Sequence, residues 1–340
     1  MNNLLPLGKL PPELLARLLA QAPIKDPRVL YGPGIGLDCA VIDLGDRVLV
    51  FKSDPITFAT EDIGWYAVQI NANDVATTGA VPRWMLATLL LPEGETTQAS
   101  VEAIFDQLYR AAGALGISVV GGHTEITYDL NRPILNGTLI GDVERERLIV
   151  PTGACPGDRL LLTKGVPIEG TALLAREFAQ RLSGILTPAE LEQARQFLYQ
   201  PGISIVRDAR VATQSGRIHA MHDPTEGGLA GALWELSDAS GRRLVVDPSA
   251  VPIPDLSGRI CAAFGLDPLA TIASGALLLA AYPDDAPAIR RALEAEGIAC
   301  AEIGSVEAGP AGVWQVNGAT FSRPARDDIA RVYENHPHSR

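Results

Sequence analysis

The chain has 340 residues, 47% of them hydrophobic, and a formal net charge of −12. That length exceeds one ordinary core and predicts two domains. The acidity argues against a nucleic-acid backbone as partner, and no apolar run reaches the ~18 residues that a membrane helix needs. The N-terminal MNNLLPLGKLPPELL shows no basic region followed by an apolar run, so a cytoplasmic protein without a signal peptide is expected. Four scattered cysteines, Cys39, Cys155, Cys261 and Cys300, form no C-x-x-C pair, which fits reduced thiols rather than a zinc ribbon.

In chain order, Leu14, Leu15, Leu18 and Leu19 predict a short helix over 11–22, with proline in its first turn. PIKDPRVLYGPGIG reads as a loop. CAVIDL and RVLVFKS are strands joined by a tight turn at Gly45–Asp46. A helix then runs to Gly79, and WMLATLLLP reads as a buried strand. Residues 97–116 give the clearest helix, closed by Gly116. ISVVGGHTEIT reads as a strand ending in a Gly-Gly turn with His123, Thr124 and Glu125 at its tip, and ILNGTLIGDV as another strand. The order predicts an α+β first domain over 1–150, with helices on one side of a mixed sheet. PTGACPGD marks a junction. A second α+β domain follows over 151–323, with helices near 169–182, 188–199, 204–214 and 285–296 and one ending at Gly241. Its strands are RLLLT, RIHAM, RLVVD, ALLLAAY and AEIGSV. From Pro324 the tail, 324–340, reads as polar and loosely held.

The chemistry is expected where strands end in glycines and acids. Asp38 and Asp54 flank the first two strands. Asp74 lies on the same helical face as Ile63, Ala67 and Ile70, where an ionised carboxylate is costly unless a cation or several donors meet it. The three acids are read as converging on one cation, Mg²⁺ carrying phosphate; the plainer alternative is two turn residues and a local cap. The GGHTE stretch offers backbone access at Gly121 and Gly122, a hydroxyl at Thr124 and a carboxylate at Glu125, or else is only a tight turn. In MHDPTEGGLAGALWEL, Thr225 reads as an N-cap with Glu226, Gly227 and Gly228 in the first helical turn. Free N–H groups there suit an anion, although two glycines also serve close packing. Lys9, beside Gly8, is either solvated or within reach of a phosphate. His219, His222 and Asp223 leave open a metal hydrolase. P-loop, dinucleotide and G-x-S-x-G signatures are missing.

Taken together, GLDCAVI, SDPITF, INANDVATTGAVP, GGHTE, MHDPTEGGLAGALWELSDASG and GLDPLATIASGALLLAAYPDDA resemble the aminoimidazole ribonucleotide (AIR) synthetase-related, PurM-like family over residues 30–310. That family includes HypE, thiamine-monophosphate kinase and selenophosphate synthetase, and the second-half motifs resemble HypE most. The resemblance implies a homodimer whose N-terminal sheets form a shared barrel and a C-terminal domain of α/β layers. It implies ATP with Mg²⁺ on the acids matching Asp38, Asp54 and Asp74, and nucleotide contacts from Asn73, Gly121, Gly122, Thr124, Glu125, Asp223, Thr225, Gly227 and Gly228. Lys9, His123 and Glu226 are the candidate catalytic side chains. The γ-phosphate would pass to an oxygen of a small-molecule or protein-borne carboxamide substrate. A thiamine-monophosphate kinase-like enzyme and an ATP-binding accessory protein that does not turn over are the alternatives. Leu37 stands where the family usually has a second acid, His123 where HypE usually has Asp, and no cysteine follows Cys300.

Overall fold

A computed structural model describes residues 5, 10–34, 36–57 and 61–335. The N-terminal half contains α1 (Pro12–Leu19), β1 (Val29–Tyr31), β2 (Ala40–Asp43), β3 (Arg47–Ile56), α2 (Ile63–Thr77), β4 (Val81–Pro92), α3 (Gln98–Ala114), β5 (Ser118–Thr127) and β6 (Ile134–Glu144). Its sheet runs β1-β2-β3-β6-β4-β5, with only β4 and β5 parallel. The segment read as a loop before the first predicted strand thus contributes a short edge strand, β1, paired with β2.

Alternation along β3 and β6 sends Val48, Val50, Leu135, Leu139 and Val143 to one face, where α2 packs. Gly64 lets α3 come close: a Cβ there would lie 2.5 Å from Ile104 O. Thr97 and Ser100 cap α3 reciprocally. On the opposite face of this sheet Trp84 and Leu86 are left exposed by the described residues, and the described strands of one chain do not close into a barrel.

The C-terminal half contains β7 (Arg159–Thr163), α4 (Ile168–Glu177), α5 (Ala179–Leu182), α6 (Pro188–Arg195), α7 (Val206–Ser215), β8 (Ile218–His222), α8 (Gly228–Ser240), β9 (Arg243–Val246), α9 (Asp255–Phe264), β10 (Leu278–Ala281), α10 (Ala286–Ala295), β11 (Cys300–Glu307), β12 (Gly312–Gln315) and α11 (Ala330–Asn335). Its sheet, β12-β9-β11-β7-β10-β8, carries α8 over one face and α7 with α10 over the other, each with its own apolar cluster. The fold is the expected α+β architecture, two six-stranded sheets each with its own helices. No described helix is long and apolar enough to cross a membrane.

Helix α2 joins the halves. Thirteen of its fifteen residues are buried, because it is enclosed by the first sheet, α3 and elements of the second half. It is therefore buried nearly all round rather than on one stripe, and carries Gln69, Asn71, Asn73 and Asp74 inside. The segment after Pro324 departs from its expected loose state: Ile329 and Val332 are buried in the cluster that also holds Tyr66 and Leu174, and Tyr333 packs on Phe178.

Candidate functional site

The inward face of β3 continues from Val48 and Val50 to Lys52 and Asp54. Lys52 Nζ stands 2.8 Å from Asp74 Oδ2 and 3.1 Å from Asp54 Oδ2, with only 11% of its side chain exposed. The cation expected opposite Asp74 is thus supplied, within the chain, by Lys52. Burial works against this ammonium, but the carboxylates of Asp74, Asp54 and Asp38 override it and hold its pKa above the ordinary value. Sequence reading missed Lys52 because a lysine in a strand is usually solvated. The signal was its place in the Val48, Val50, Lys52 alternation.

Asn71 fixes the Asp54 backbone: its Oδ1 accepts from Asp54 N and its Nδ2 donates to Asp54 O and Ala67 O. Gly137 on β6 makes room, since a Cβ there would sit 2.6 Å from Asn71 Nδ2.

From the other domain, β8 delivers His222 and the residue after it, Asp223. His222 Nε2 lies 2.9 Å from Glu235 Oε2, and its Nδ1 lies 3.8 Å from Asp38 Oδ2. Burial opposes its charge, yet the Glu235 hydrogen bond and the Asp38 carboxylate raise its pKa to about 9, so it is an imidazolium at neutral pH. Asp223 is 1% exposed, and neither of its carboxylate oxygens has a hydrogen-bond partner. Burial pushes its pKa up to about 6, against the pull of His222. Asp74 is likewise raised by burial and by Asp223, against Lys52. Two cations therefore face five carboxylates, Asp38, Asp54, Asp74, Asp223 and Glu235, and a small cavity lined by Tyr31, Asp38, Cys39, Thr77 and Thr78 opens beside them.

This donor set fits a hard divalent cation, because Asp223 offers oxygens without hydrogen bonds beside Asp74 and Asp38, with the His222 ring 4.0 Å away. Among the described residues no group of three His, Cys, Asp or Glu side chains stands ready as a metal cage. Mg²⁺ ordinarily takes one or two protein carboxylates and completes its shell with phosphate and water.

Other predicted residues lie elsewhere or are engaged. Asn73 bridges the domains instead of facing the acids: its Nδ2 donates to Ile203 O and its Oδ1 accepts from Ile205 N. Gly121, Gly122, His123, Thr124 and Glu125 form no turn; they lie within edge strand β5. Ladder partners run Asp54, Gly137, Ala87, Gly122, so the glycines sit three strands, about 14 Å, from Asp54. His123 Nε2 meets Glu125 Oε2 at 3.0 Å on an exposed surface.

Thr225 is not the N-cap of α8. That position is Gly227, at φ +83°, and no side chain caps the helix. The Thr225 carbonyl accepts from Gly228 N, Leu269 O accepts from Ala230 N, and Asp327 Oδ2 accepts from Gly227 N. The Gly227 and Gly228 donors expected to hold an anion are thus taken up by the chain itself. Gly228 is also required by packing, since a Cβ would lie 2.6 Å from Leu269 O. Glu226 is exposed at this turn. His219 pairs with Asp158, apart from His222, which dissolves the His219–His222–Asp223 metal set. Lys9 lies outside the described residues.

Family models match most of the chain: the AIR synthase related protein N-terminal domain over residues 36–143 and the C-terminal domain over 155–317. The chain belongs to the AIR synthase related family. Within that family it is 30% identical to a putative hydrogenase expression/formation protein of Methanocaldococcus jannaschii, over 74% of this chain and 75% of that one. It is also 30% identical to carbamoyl dehydratase HypE of Rhodobacter capsulatus, over 81% and 80% of the two chains. A solved structure of the hydrogenase maturation protein HypE in complex with ATP aligns at TM-score 0.68 and 24% identity, covering 92% of this chain and 91% of that one, a likeness of fold. The junction between the two family domains falls in the stretch that connects the two sheets.

Proposed function

We propose that this AIR synthase related protein is an ATP- and Mg²⁺-dependent phosphoryl-transfer enzyme whose site is the acid cluster between the domains. One observation supports this above all: Asp223 is buried beside Asp74 with neither carboxylate oxygen hydrogen-bonded and the His222 ring no nearer than 4.0 Å, an arrangement that a further cation would stabilise. The relative solved with ATP supports the choice of nucleotide.

In this reading Asp38, Asp74 and Asp223 would hold Mg²⁺, which when bound neutralises charge on the phosphoryl oxygens. Lys52 holds Asp54 and Asp74 in place through its two ion pairs, and its ammonium adds positive charge near the transferred group. Asn71 pins the β3 backbone that carries Asp54. An acceptor oxygen forms its bond to the γ-phosphorus while the bond to the β–γ bridging oxygen breaks and ADP leaves. The relative named carbamoyl dehydratase favours a carboxamide oxygen as acceptor.

Phosphate or ADP release with MgATP is the test. Asp74→Asn, nearly isosteric, is expected to lower the rate by roughly 10²–10³-fold while circular dichroism stays unchanged. An unchanged rate in a folded Asp74→Asn protein would remove the site. MgATP bound without any turnover in the native chain would instead support an accessory role.

A further inference from the structure

A second group of acids lies at the other end of α2. Glu169, in the first turn of α4, is 7% exposed; one carboxylate oxygen reaches Ser274 and the other, Oε2, is buried without a partner. Independently, the Tyr66 hydroxyl on α2 is buried without a partner, and it feels the charge of Glu169. Glu169 in turn feels Glu226 and Asp327. Asp327 is brought in by the C-terminal segment, which Gly227 N–H anchors at 2.7 Å and buried Ile329 and Val332 hold down. The nearby cation Arg176 is committed to Asp62. Glu226, exposed, stands on the solvent side of the group.

Two neighbouring buried polar atoms without partners call for an occupant. Three surrounding carboxyl groups favour one that donates hydrogen bonds and carries positive charge. A phosphate or carboxylate would meet repulsion here.

We propose that Tyr66, Glu169, Glu226 and Asp327 enclose a site for a protonated nitrogen, the ammonium group of a small amine. Tyr66 precedes Asp74 by eight residues of one helix, a rise of about 12 Å. An acceptor substrate anchored here by its amine would extend along α2 toward the phosphoryl end. That last step rests on the phosphoryl-transfer reading; the ammonium site itself does not.

The probe is ammonium chloride against sodium chloride at equal ionic strength, read as the thermal unfolding midpoint of the full chain. Ammonium is expected to raise the wild-type midpoint by roughly 2–4 °C, as a ligand bound only by the native state does. Tyr66→Phe, which removes only the hydroxyl, and Glu169→Gln are each expected to abolish the difference. MgATP binding by Tyr66→Phe is expected to be unchanged, so failure of the phosphoryl site and failure of this one read out separately. Equal wild-type midpoints in the two salts, the result if a buried water satisfies Glu169 and Tyr66, overturn the proposal. So does a shift that survives in Tyr66→Phe.

Discussion

Replacing Lys52 with methionine is expected to destabilise the native state by about 3–5 kcal/mol, the usual cost of leaving a buried carboxylate without its cation. Methionine preserves the length and apolar stem of the side chain, so the loss reports charge rather than volume. Asp74 carries the penalty, because it is 4% exposed and its other close neighbour is the like-charged Asp223. Asp54 is 40% exposed on its side chain and is served by water, so Asp54→Asn is expected to cost less than about 1 kcal/mol. Adding Asp74→Asn to Lys52→Met removes the stranded charge and is expected to recover part of the loss. Denaturant midpoints at constant m-value measure all four proteins. A Lys52→Met protein as stable as the native one would mean that Lys52 and Asp74 are not paired in solution.

The second large effect concerns the glycine pair of β5. Gly122 has φ +149°, and a Cβ there would fall 1.8 Å from Ala87 O, one pair beyond the register shift that β4 and β5 make between Met85 and Leu86. Gly122→Ala must push the two strands apart and is expected to cost about 2–4 kcal/mol. At Gly121 a Cβ would meet only Leu86 Cδ2, at 3.3 Å, so Gly121→Ala is expected to cost clearly less. Equal effects on stability at the two positions would contradict this difference. A Gly122→Ala protein of native stability would return the pair to a ligand-facing role.

Locally coded features were legible. The Gly45–Asp46 hairpin, the stripe and caps of α3, and the sequence of strands and helices in both halves follow from spacing and turn residues that act within a few positions. That Asp74 needs a partner was legible for a physical reason: a carboxylate on an apolar helical face demands one wherever the helix goes. What partner arrives depends on long-range pairing, and there sequence fell short. Lys52 and Asp223 meet Asp74 only because β3 and β8 both approach α2. The GGHTE stretch read as a turn because glycines usually punctuate, whereas here they accommodate a neighbouring strand. Gly227 and Gly228 read as an open helix end because nothing local announced that Asp327, a hundred residues on, would accept from that turn. The tail did carry a signal: Ile329, Val332 and Tyr333 recur at helical spacing, and their burial outweighs the polar composition around them.

The most direct measurement is calorimetric titration of ATP into the chain, with Mg²⁺ and with EDTA, for the native protein and for Asp223→Asn. Heat of binding is expected for the native protein with Mg²⁺, and its loss or strong weakening both in EDTA and in Asp223→Asn. Binding that is indifferent to Mg²⁺ and to Asp223, or no binding by a folded native chain, would contradict the proposed site.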